Sequence, residues 1–595
     1  MRKVISVIAM LLGAAALVVG IGQKTFWAPP ETVTASMPQF DSQAPLTLIE
    51  SSVNSADLAP VELVITGEGE FTASLGRSYD VQAWVGKTAH AQVTGIDTVN
   101  HQMQATFVEG DASAPDPQTS DIFFDSQTAD GTMTYRWTAP DTGDWSLLLA
   151  AGGKDAAPVD ISVTYANDEA MPFALPLIIV GALLLVFGLA LLVMRTGKPG
   201  TAAPAKTKTT TQNSVAGVAV LALAVSGVAL PMAPSDDASS SPISNTTQSA
   251  SPSASDTASP SASDTTSPSA TESSTATATD QASETAEESA ATDSEPNAFP
   301  VVTEEQLTRI LADVQKQVGA ADEKRDPKLL ESRAAGAFKY IRSSRYDILN
   351  DDIKVAKPLA LNTSVIRSAA VPNTSDASFP RVITVVTAKD SDAATLPQAL
   401  TLVQATARDN YQVIFAEQML PGASFPGIAV GDPSIKQLEP DAEGLQQTPE
   451  AALKSLADVL TNEKSKNADQ FAESEFIKAI HAGQKSESEN ANEAKVKYSR
   501  TVTAGDTRVL STPDGGAIVT GKLNQRAVFE RTEDADPLEG TDELTKKLLG
   551  KSSSTGDVEI NYAEPVMFYL PAEGSEDKIQ LIAAEVVLLN VKEVK

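Results

Sequence analysis

Three apolar stretches interrupt the otherwise mixed pattern of polar and apolar positions along this chain of 595 residues, at Val4–Gly20, Pro172–Met194 and Val215–Ala233. The second stretch contains no charged side chain and is long enough for a helix to cross about 30 Å of hydrocarbon with some tilt. We therefore predict three transmembrane helices, at residues 1–23, 171–194 and 215–233.

Basic residues predict the orientation of these helices. Arg2 and Lys3 precede the first stretch, and residues 195–214 carry four basic side chains and no acidic one. Short loops rich in Lys and Arg remain in the cytoplasm. The pattern predicts a multi-pass protein of the cell membrane with a short basic cytoplasmic loop at 195–214, and with residues 24–170 and the chain after about 234 outside the cytoplasm.

Two of the stretches have a second interpretation. Residues 1–22 have the charged start and apolar run of a removed signal peptide, but Gly20–Pro30 is a poor cleavage site and Phe26–Trp27 is typical of an interfacial anchor. Residues 215–233 are also an internal signal-like segment, similar to the run before a lipoprotein cysteine. Val228 stands where that cysteine would be, so the alternative to a span is cleavage near Ala229 or Ala233.

Residues 24–170 have the pattern of an all-β body. Short runs alternate apolar and polar residues between Gly, Pro, Asp and Asn, and this predicts an extracytoplasmic antiparallel β-sandwich. The segment Ala139–Leu149 looks like the closing hairpin of extracellular jelly-roll modules, which indicates a fold and not a function. The predicted strands are Val61–Thr66, Tyr79–Val85, Met103–Val108, Met133–Trp137, Trp145–Ala150 and Val159–Tyr165.

Residues 234–299 form a low-complexity segment rich in Ser, Thr, Ala, Pro and Asp, without Lys or Arg. An eight-residue unit recurs in it from Ser251, Ser259 and Ser267. The apolar content of this segment is too low to offset the loss of conformational entropy on folding. We therefore predict a disordered, solvated stalk that is open to glycosylation.

Residues 300–445 and 446–595 each read as helices followed by strands. A capping box at Thr303–Gln306 starts one helix, Asp326–Pro327 predicts a second, and Thr448–Pro449 starts the same order again. We predict two α+β repeats, because Leu311–Val314 also recurs as Leu456–Val459. The predicted strands are Arg381–Val386, Leu400–Thr406, Tyr411–Ala416, Val496–Val509, Gly516–Arg531, Val558–Leu570 and Ile579–Val594.

This order of elements resembles the cystatin-like or NTF2-like cone fold, in tandem. The whole layout resembles uncharacterised actinobacterial multi-span envelope proteins, with Gln23–Pro30 just outside a short first span and a β ectodomain after it. The resemblance to the envelope proteins implies no activity. Cone folds that are enzymes use a His–Asp pair, and His481 is the one histidine in residues 300–595.

Composition narrows the classes of partner and chemistry. The net charge of −32 argues against nucleic acid and anionic lipid as partners. The absence of cysteine excludes disulfides, thiol catalysis and thiolate metal sites.

Few residues are candidates for chemistry. Asp116, Asp121 and Asp125 could bind calcium, but their spacing matches no EF-hand loop and favours solvated acids. His90 and His101 could bind zinc or act as acid and base, but without a patterned carboxylate or a third histidine they are expected to be surface residues. His481 is expected to be a surface or cap residue. Lys454–Ser455 and Ser465–Lys466 are adjacent on the chain, and adjacent side chains of a helix do not face each other. These pairs therefore do not indicate a serine nucleophile activated by lysine. We assign no catalytic residue and no cofactor, and leave a metal site open.

These observations predict a non-enzymatic, membrane-anchored cell-envelope protein that presents two extracytoplasmic binding or scaffold modules to an envelope protein or wall polymer. One alternative is a hydrolase or transferase that acts on envelope polysaccharide or lipid-linked sugar through unrecognised carboxylates. Another is a signalling or assembly subunit of a membrane complex. The uncharged spans argue against transport.

Overall fold

The computed structural model describes residues 2–28, 30, 32–54, 61–138, 140, 143–166, 173–193, 298–351, 353–390, 395–540 and 542–594. The described residues divide into two units, the first made of 2–10 with 185–193 and the second of those within 11–184 and 298–594. The described helices are α1 (Arg2–Lys24), α2 (Ser78–Val85), α3 (Ala174–Val193), α4 (Glu304–Lys324), α5 (Gly336–Asn350), α6 (Pro449–Thr461), α7 (Glu475–Asn490) and α8 (Glu543–Leu549).

Helices α1 and α3 are long and apolar enough to cross a membrane. Small residues let them approach closely. In the first unit, a Cβ on Gly188 would lie 2.6 Å from Met10 Cγ, and Ser6 Oγ donates a 2.6 Å hydrogen bond to the Gly188 carbonyl. These two helices and the β-rich remainder fit a membrane-anchored protein. The predicted loop 195–214, third span 215–233 and stalk 234–299 lie outside the described residues, apart from the last two positions of the stalk.

Residues 32–166, which we call the β domain, form one eight-stranded sheet in the order β6-β3-β7-β2-β4-β5-β1-β8. The sheet closes on itself because the long strand β3 pairs with β8 through its first half and with β7 through its second. Its apolar core includes Leu63, Phe71 and Leu147. The strands are β1 (Thr32–Ser36), β2 (Leu46–Ile49), β3 (Glu62–Arg77), β4 (His90–Asp97), β5 (Gln102–Val108), β6 (Asp125–Arg136), β7 (Trp145–Ala150) and β8 (Asp160–Ala166).

Two details of the β domain differ from prediction. The predicted strand Tyr79–Val85 is helix α2, whose buried apolar residues Val81, Trp84 and Val85 have the i, i+3, i+4 spacing of a helix face. The pairs β1–β5 and β2–β4 are parallel, so the sheet is mixed and not purely antiparallel.

Residues 298–594, which we call the C-terminal body, begin with a two-helix, four-strand unit. The capping box is confirmed: Thr303 N donates to Gln306 Oε1 at 2.9 Å, and Gln306 N donates to Thr303 Oγ1 at 3.2 Å. The helix predicted to start at Asp326–Pro327 does start there, with Asp326 as its N-cap, but it is a short 3-10 helix that ends at Leu330, and the second α-helix α5 begins at Gly336. The strands of this half are β9 (Phe299–Pro300), β10 (Val365–Ala370), β11 (Asn373–Thr374), β12 (Arg381–Ala388), β13 (Gln398–Gln404), β14 (Gln412–Gln418) and β15 (Gln437–Leu438).

The second half of the C-terminal body has the same order of two helices and four antiparallel strand positions. Its middle positions are the long strands β18 and β21. β16 and β17 both pair with β18, and β22 and β23 both pair with β21. The short strand β15 of the first half adds to this sheet beside β17. The first half has the corresponding order β10-β12-β13-β14. The strands here are β16 (Ala494–Val502), β17 (Arg508–Ser511), β18 (Ala517–Arg531), β19 (Leu538–Glu539), β20 (Ser553–Ser554), β21 (Asp557–Leu570), β22 (Gln580–Ala584) and β23 (Val587–Val594).

The two halves of the C-terminal body share a core. Phe415 and Ala399 of the first sheet join Ile518 and Met567 of the second in one buried apolar cluster. This packing makes the two sheets a single layered structure.

Candidate functional site

Helix α2 presents a buried carboxylate to the C-terminal body. Arg381, the first residue of β12, donates from Nη1 to Asp80 Oδ2 at 3.0 Å and from Nη2 to the other carboxylate oxygen. The two side chains are 3% and 5% exposed, and Phe379 packs its ring 4.3 Å from the guanidinium. Burial raises the pKa of Asp80, and the hydrogen bonds and charge of Arg381 act in the opposite direction. A charge at this depth is tolerable because its partner is fully engaged.

A second buried pair joins the loop before β6 to the C-terminal body. Both terminal nitrogens of Arg333 donate to the carboxylate of Asp121, which is 2% exposed. The backbone N–H of Tyr411 donates to the same carboxylate at 2.8 Å. Asn410 completes the contact, since its Oδ1 accepts from Asp121 N at 2.9 Å and its Nδ2 donates to the Thr119 carbonyl at 3.0 Å.

Arg408 closes the end of helix α2. Its Nε donates to the carbonyl of Trp84 at 2.7 Å, and its Nη2 donates to the carbonyl of Val85 and to Thr88 Oγ1 at 2.8 and 2.7 Å. The last carbonyl groups of a helix have no hydrogen-bond donor within the helix, and the guanidinium of Arg408 donates to them here. Ala407 beside it joins the apolar cluster around Trp84. We call the Asp80, Asp121 and Arg408 contacts together the docking interface.

A carboxyl pair lies at the junction of the two halves of the C-terminal body. The Glu417 and Glu585 side chains hydrogen-bond to each other, and burial, followed by the charge of Glu585, holds the pKa of Glu417 well above its usual range. The adjoining cavity, lined also by Arg342 and Arg345, has about 90 Å³. Ligand pockets hold roughly 300–1,000 Å³, so this space suits a few water molecules better than a sugar.

A larger space of about 370 Å³, which we call the C-terminal cavity, opens between the end of α7, the second sheet and the segment from β19 to α8. Val558, Ile560 and Tyr562 line it from β21 because alternate residues of a strand share one face. Phe529 pairs with Val558 and Leu588 pairs with Tyr562 in the sheet, so these strands continue the same apolar wall.

The rim of the C-terminal cavity is acidic. Glu487, Glu493, Glu539 and Asp542 lie in the lining, and none of the described lining residues is Lys, Arg or His. Burial and the nearby charges of Glu487 and Asp542 raise the pKa of Tyr562 to about 12.

Two rim acids are held by hydrogen bonds. The hydroxyl of Tyr498 donates to the Glu487 carboxylate, and Asp542 Oδ1 accepts from Thr545 N at 2.7 Å as the N-cap of α8. The cavity therefore combines an apolar wall with a fixed negative rim.

The structure separates the three aspartates considered for calcium. Asp116 Oδ1 accepts from Gln118 N and Asp125 Oδ2 accepts from Gln127 Nε2, each within its own short turn or strand. The prediction that Asp121 is a solvated acid is wrong, because its carboxylate is buried against Arg333. Within the part of the chain that the structure describes, no group of three metal-ligating side chains occurs.

Each of the three histidines makes a hydrogen bond to a different partner. His90, expected at the surface, is buried and donates from Nδ1 to the Thr88 carbonyl at 2.8 Å. His101 contacts the Tyr165 hydroxyl at 3.0 Å, and His481 Nε2 donates to the Val459 carbonyl at 2.7 Å. These bonds tie each ring to its own neighbourhood.

Sequence reasoning missed the docking interface and the C-terminal cavity. The alternation of Val558, Ile560 and Tyr562 inside a predicted strand signals an apolar face. It does not signal that the short helix α8 and the end of α7 leave a space over that face.

The comparisons add a family match for the C-terminal body. Residues 298–592, just under half of the chain, match the family described as Domain of unknown function (DUF8094). Neither the curated proteins nor the solved structures contain a match to this chain.

Proposed function

We propose that this chain is a non-enzymatic, membrane-anchored cell-envelope protein whose β domain and C-terminal body act as one extracytoplasmic scaffold and binding unit. The docking interface supports the central part of this proposal, that the two modules act as one unit. Two bidentate, buried ion pairs and the Arg408 contacts join the modules. Breaking a buried ion pair costs free energy, because it leaves one charge buried without its partner. The β domain therefore holds the C-terminal body in one position.

The docking interface also supports the three-span topology. If α1 and α3 both cross the membrane, the β domain between them lies on one side and the chain leaves α3 on the other. The C-terminal body contacts the β domain and so needs the side on which the β domain lies. The chain must cross once more after α3, and 215–233 is the apolar stretch available for it.

The contact between Ser6 and Gly188 supports retention of the first helix. In hydrocarbon a serine hydroxyl needs a hydrogen-bond partner, and here it has one in α3. A removed signal peptide has no lasting partner of this kind. With the basic residues of the loop 195–214 on the cytoplasmic side, we propose that residues 24–170 and the C-terminal body lie outside the cytoplasm, with an envelope protein or wall polymer as the partner.

One observation favours a hydrolase as the second candidate, namely the Glu417–Glu585 pair with its raised pKa at Glu417. Paired carboxyl groups with separated pKa values are common in such enzymes. The small adjoining cavity is why we rank this candidate second.

Cysteine labelling, followed by purification of the chain, tests the proposed topology, because the chain has no cysteine of its own that could react. Single variants Ser42→Cys in the β domain, Lys466→Cys in the C-terminal body and Thr209→Cys in the basic loop are exposed to a membrane-impermeant maleimide on intact cells. We expect labelling at positions 42 and 466, and labelling at 209 only after permeabilisation. Labelling at 42 with protection at 466 would refute the proposal.

A further inference from the structure

We infer that the C-terminal cavity binds small apolar molecules that carry a protonated amine. This inference goes beyond the proposed scaffold and does not depend on the membrane topology. Its starting point is size: about 370 Å³ falls within the range of small-molecule sites, whereas the space beside Glu417 does not.

The wall of the cavity favours an apolar group. Phe529, Ile560 and Leu588 come from three neighbouring strands, and Leu538 and Leu549 lie on the segment that partly covers them. Removing apolar ligand surface from water against such a wall is favourable in proportion to the area buried.

The rim selects the charge of the ligand. Four acidic residues lie in the lining, and beside a low-dielectric wall their field reaches into the cavity more strongly than it would in bulk water. An anionic ligand would be repelled, whereas an ammonium group would replace its water with carboxylate oxygens. The Tyr562 hydroxyl stays protonated at neutral pH and can accept one of the ammonium hydrogens.

The negative rim argues against the segment 234–297 of the same chain as the occupant of the C-terminal cavity. Residues 234–297 contain Asp and Glu but neither Lys nor Arg, so this segment would meet repulsion at the rim. A separate cationic molecule is the occupant that fits.

The test uses the full chain in nanodiscs of zwitterionic lipid, titrated calorimetrically with n-octylammonium and with octanoate, after subtraction of empty nanodiscs. We expect saturable one-to-one binding of octylammonium and at least tenfold weaker binding of octanoate. The double variant Glu487→Gln with Asp542→Asn should weaken octylammonium binding about tenfold, because two rim charges are removed. Both replacements keep the hydrogen bonds, since Gln can accept from Tyr498 and Asn is as good an N-cap as Asp.

A matched control removes the same charge elsewhere. Glu463→Gln with Glu573→Gln changes two exposed acids outside the cavity lining and should alter the affinity less than twofold. The inference would be overturned if octylammonium showed no saturable binding, or if octanoate bound equally or more tightly. It would also be overturned if the rim variant bound octylammonium as tightly as the natural chain, or if the control variant lost as much affinity as the rim variant. Near-ultraviolet circular dichroism verifies that each variant keeps its fold.

Discussion

Asp121 and Arg333 form a two-point ion pair across 212 positions of the sequence. Asp121 lies in a loop of the β domain and Arg333 lies just before α5 of the C-terminal body. The carboxylate also accepts from Tyr411 N at 2.8 Å, so three donors converge on one buried acid. A loop that would otherwise be solvated is thereby fixed by a module encoded far downstream.

Removing the guanidinium should destabilise the docked unit strongly. Arg333→Met leaves Asp121 buried without a counter-charge, which costs about 3–5 kcal/mol. Urea unfolding of the full chain, followed by tryptophan fluorescence, measures this loss. The control Lys454→Met removes an exposed pair with Glu450 and should cost less than about 1 kcal/mol. Equal effects of the two variants would show that the buried pair is not structural.

The hydroxyl of Tyr411 lies buried beside the docking interface and does not contribute a hydrogen bond to it. Tyr411 is 1% exposed, and its hydroxyl has no hydrogen-bond partner among the described residues. Tyr411→Phe should therefore leave the free energy of unfolding unchanged or raise it by up to about 1 kcal/mol. Tyr346 is the matched case, because its hydroxyl donates to Asp322 at 2.5 Å. Tyr346→Phe should lower stability by about 1 kcal/mol or more. A larger loss for Tyr411→Phe than for Tyr346→Phe would contradict this account.

The third prediction concerns pH. The pKa of Glu417 is raised above 4.5 by burial and by Glu585, so the folded state holds this proton more tightly than the unfolded state. The stabilising contribution is full below about pH 4.5 and is lost as the pH rises through the folded pKa. Glu417→Gln keeps a hydrogen bond to Glu585 but cannot titrate, so stability should fall less steeply over that window. We would measure the unfolding midpoint from pH 4 to 9. A variant that keeps the natural slope would show that Glu417 does not titrate as described.

Local patterns predicted much of the secondary structure. Thr303 and Gln306 sit three residues apart and can satisfy each other, so the start of α4 follows from sequence alone. The run Arg381–Val386 is rich in β-branched residues and is a strand as predicted, which continues to Ala388 in β12. Helix α2 does not follow from composition, because Tyr79, Val81 and Trp84 are residue types that favour strands, whereas Val81, Trp84 and Val85 have the spacing of a helix face.

The functional contacts could not be predicted in the same way. Asp80 and Asp121 look like ordinary polar positions, and their partners Arg381 and Arg333 lie 301 and 212 residues away. Nothing local indicates which loop acid will be buried by a distant module. The docking interface thus depends on tertiary structure that single-sequence patterns do not carry.

Cutting the stalk tests the central claim that the two modules form one unit. A protease site placed between Ser251 and Ser274 is cleaved in isolated membranes of cells that make the full chain, and the membranes are then washed. We predict that the C-terminal fragment stays with the membrane-bound β domain, held by the Asp80 and Asp121 pairs. We also predict that Arg333→Met combined with Arg381→Met releases it. Release of the C-terminal fragment from the unaltered chain on cleavage would contradict the account.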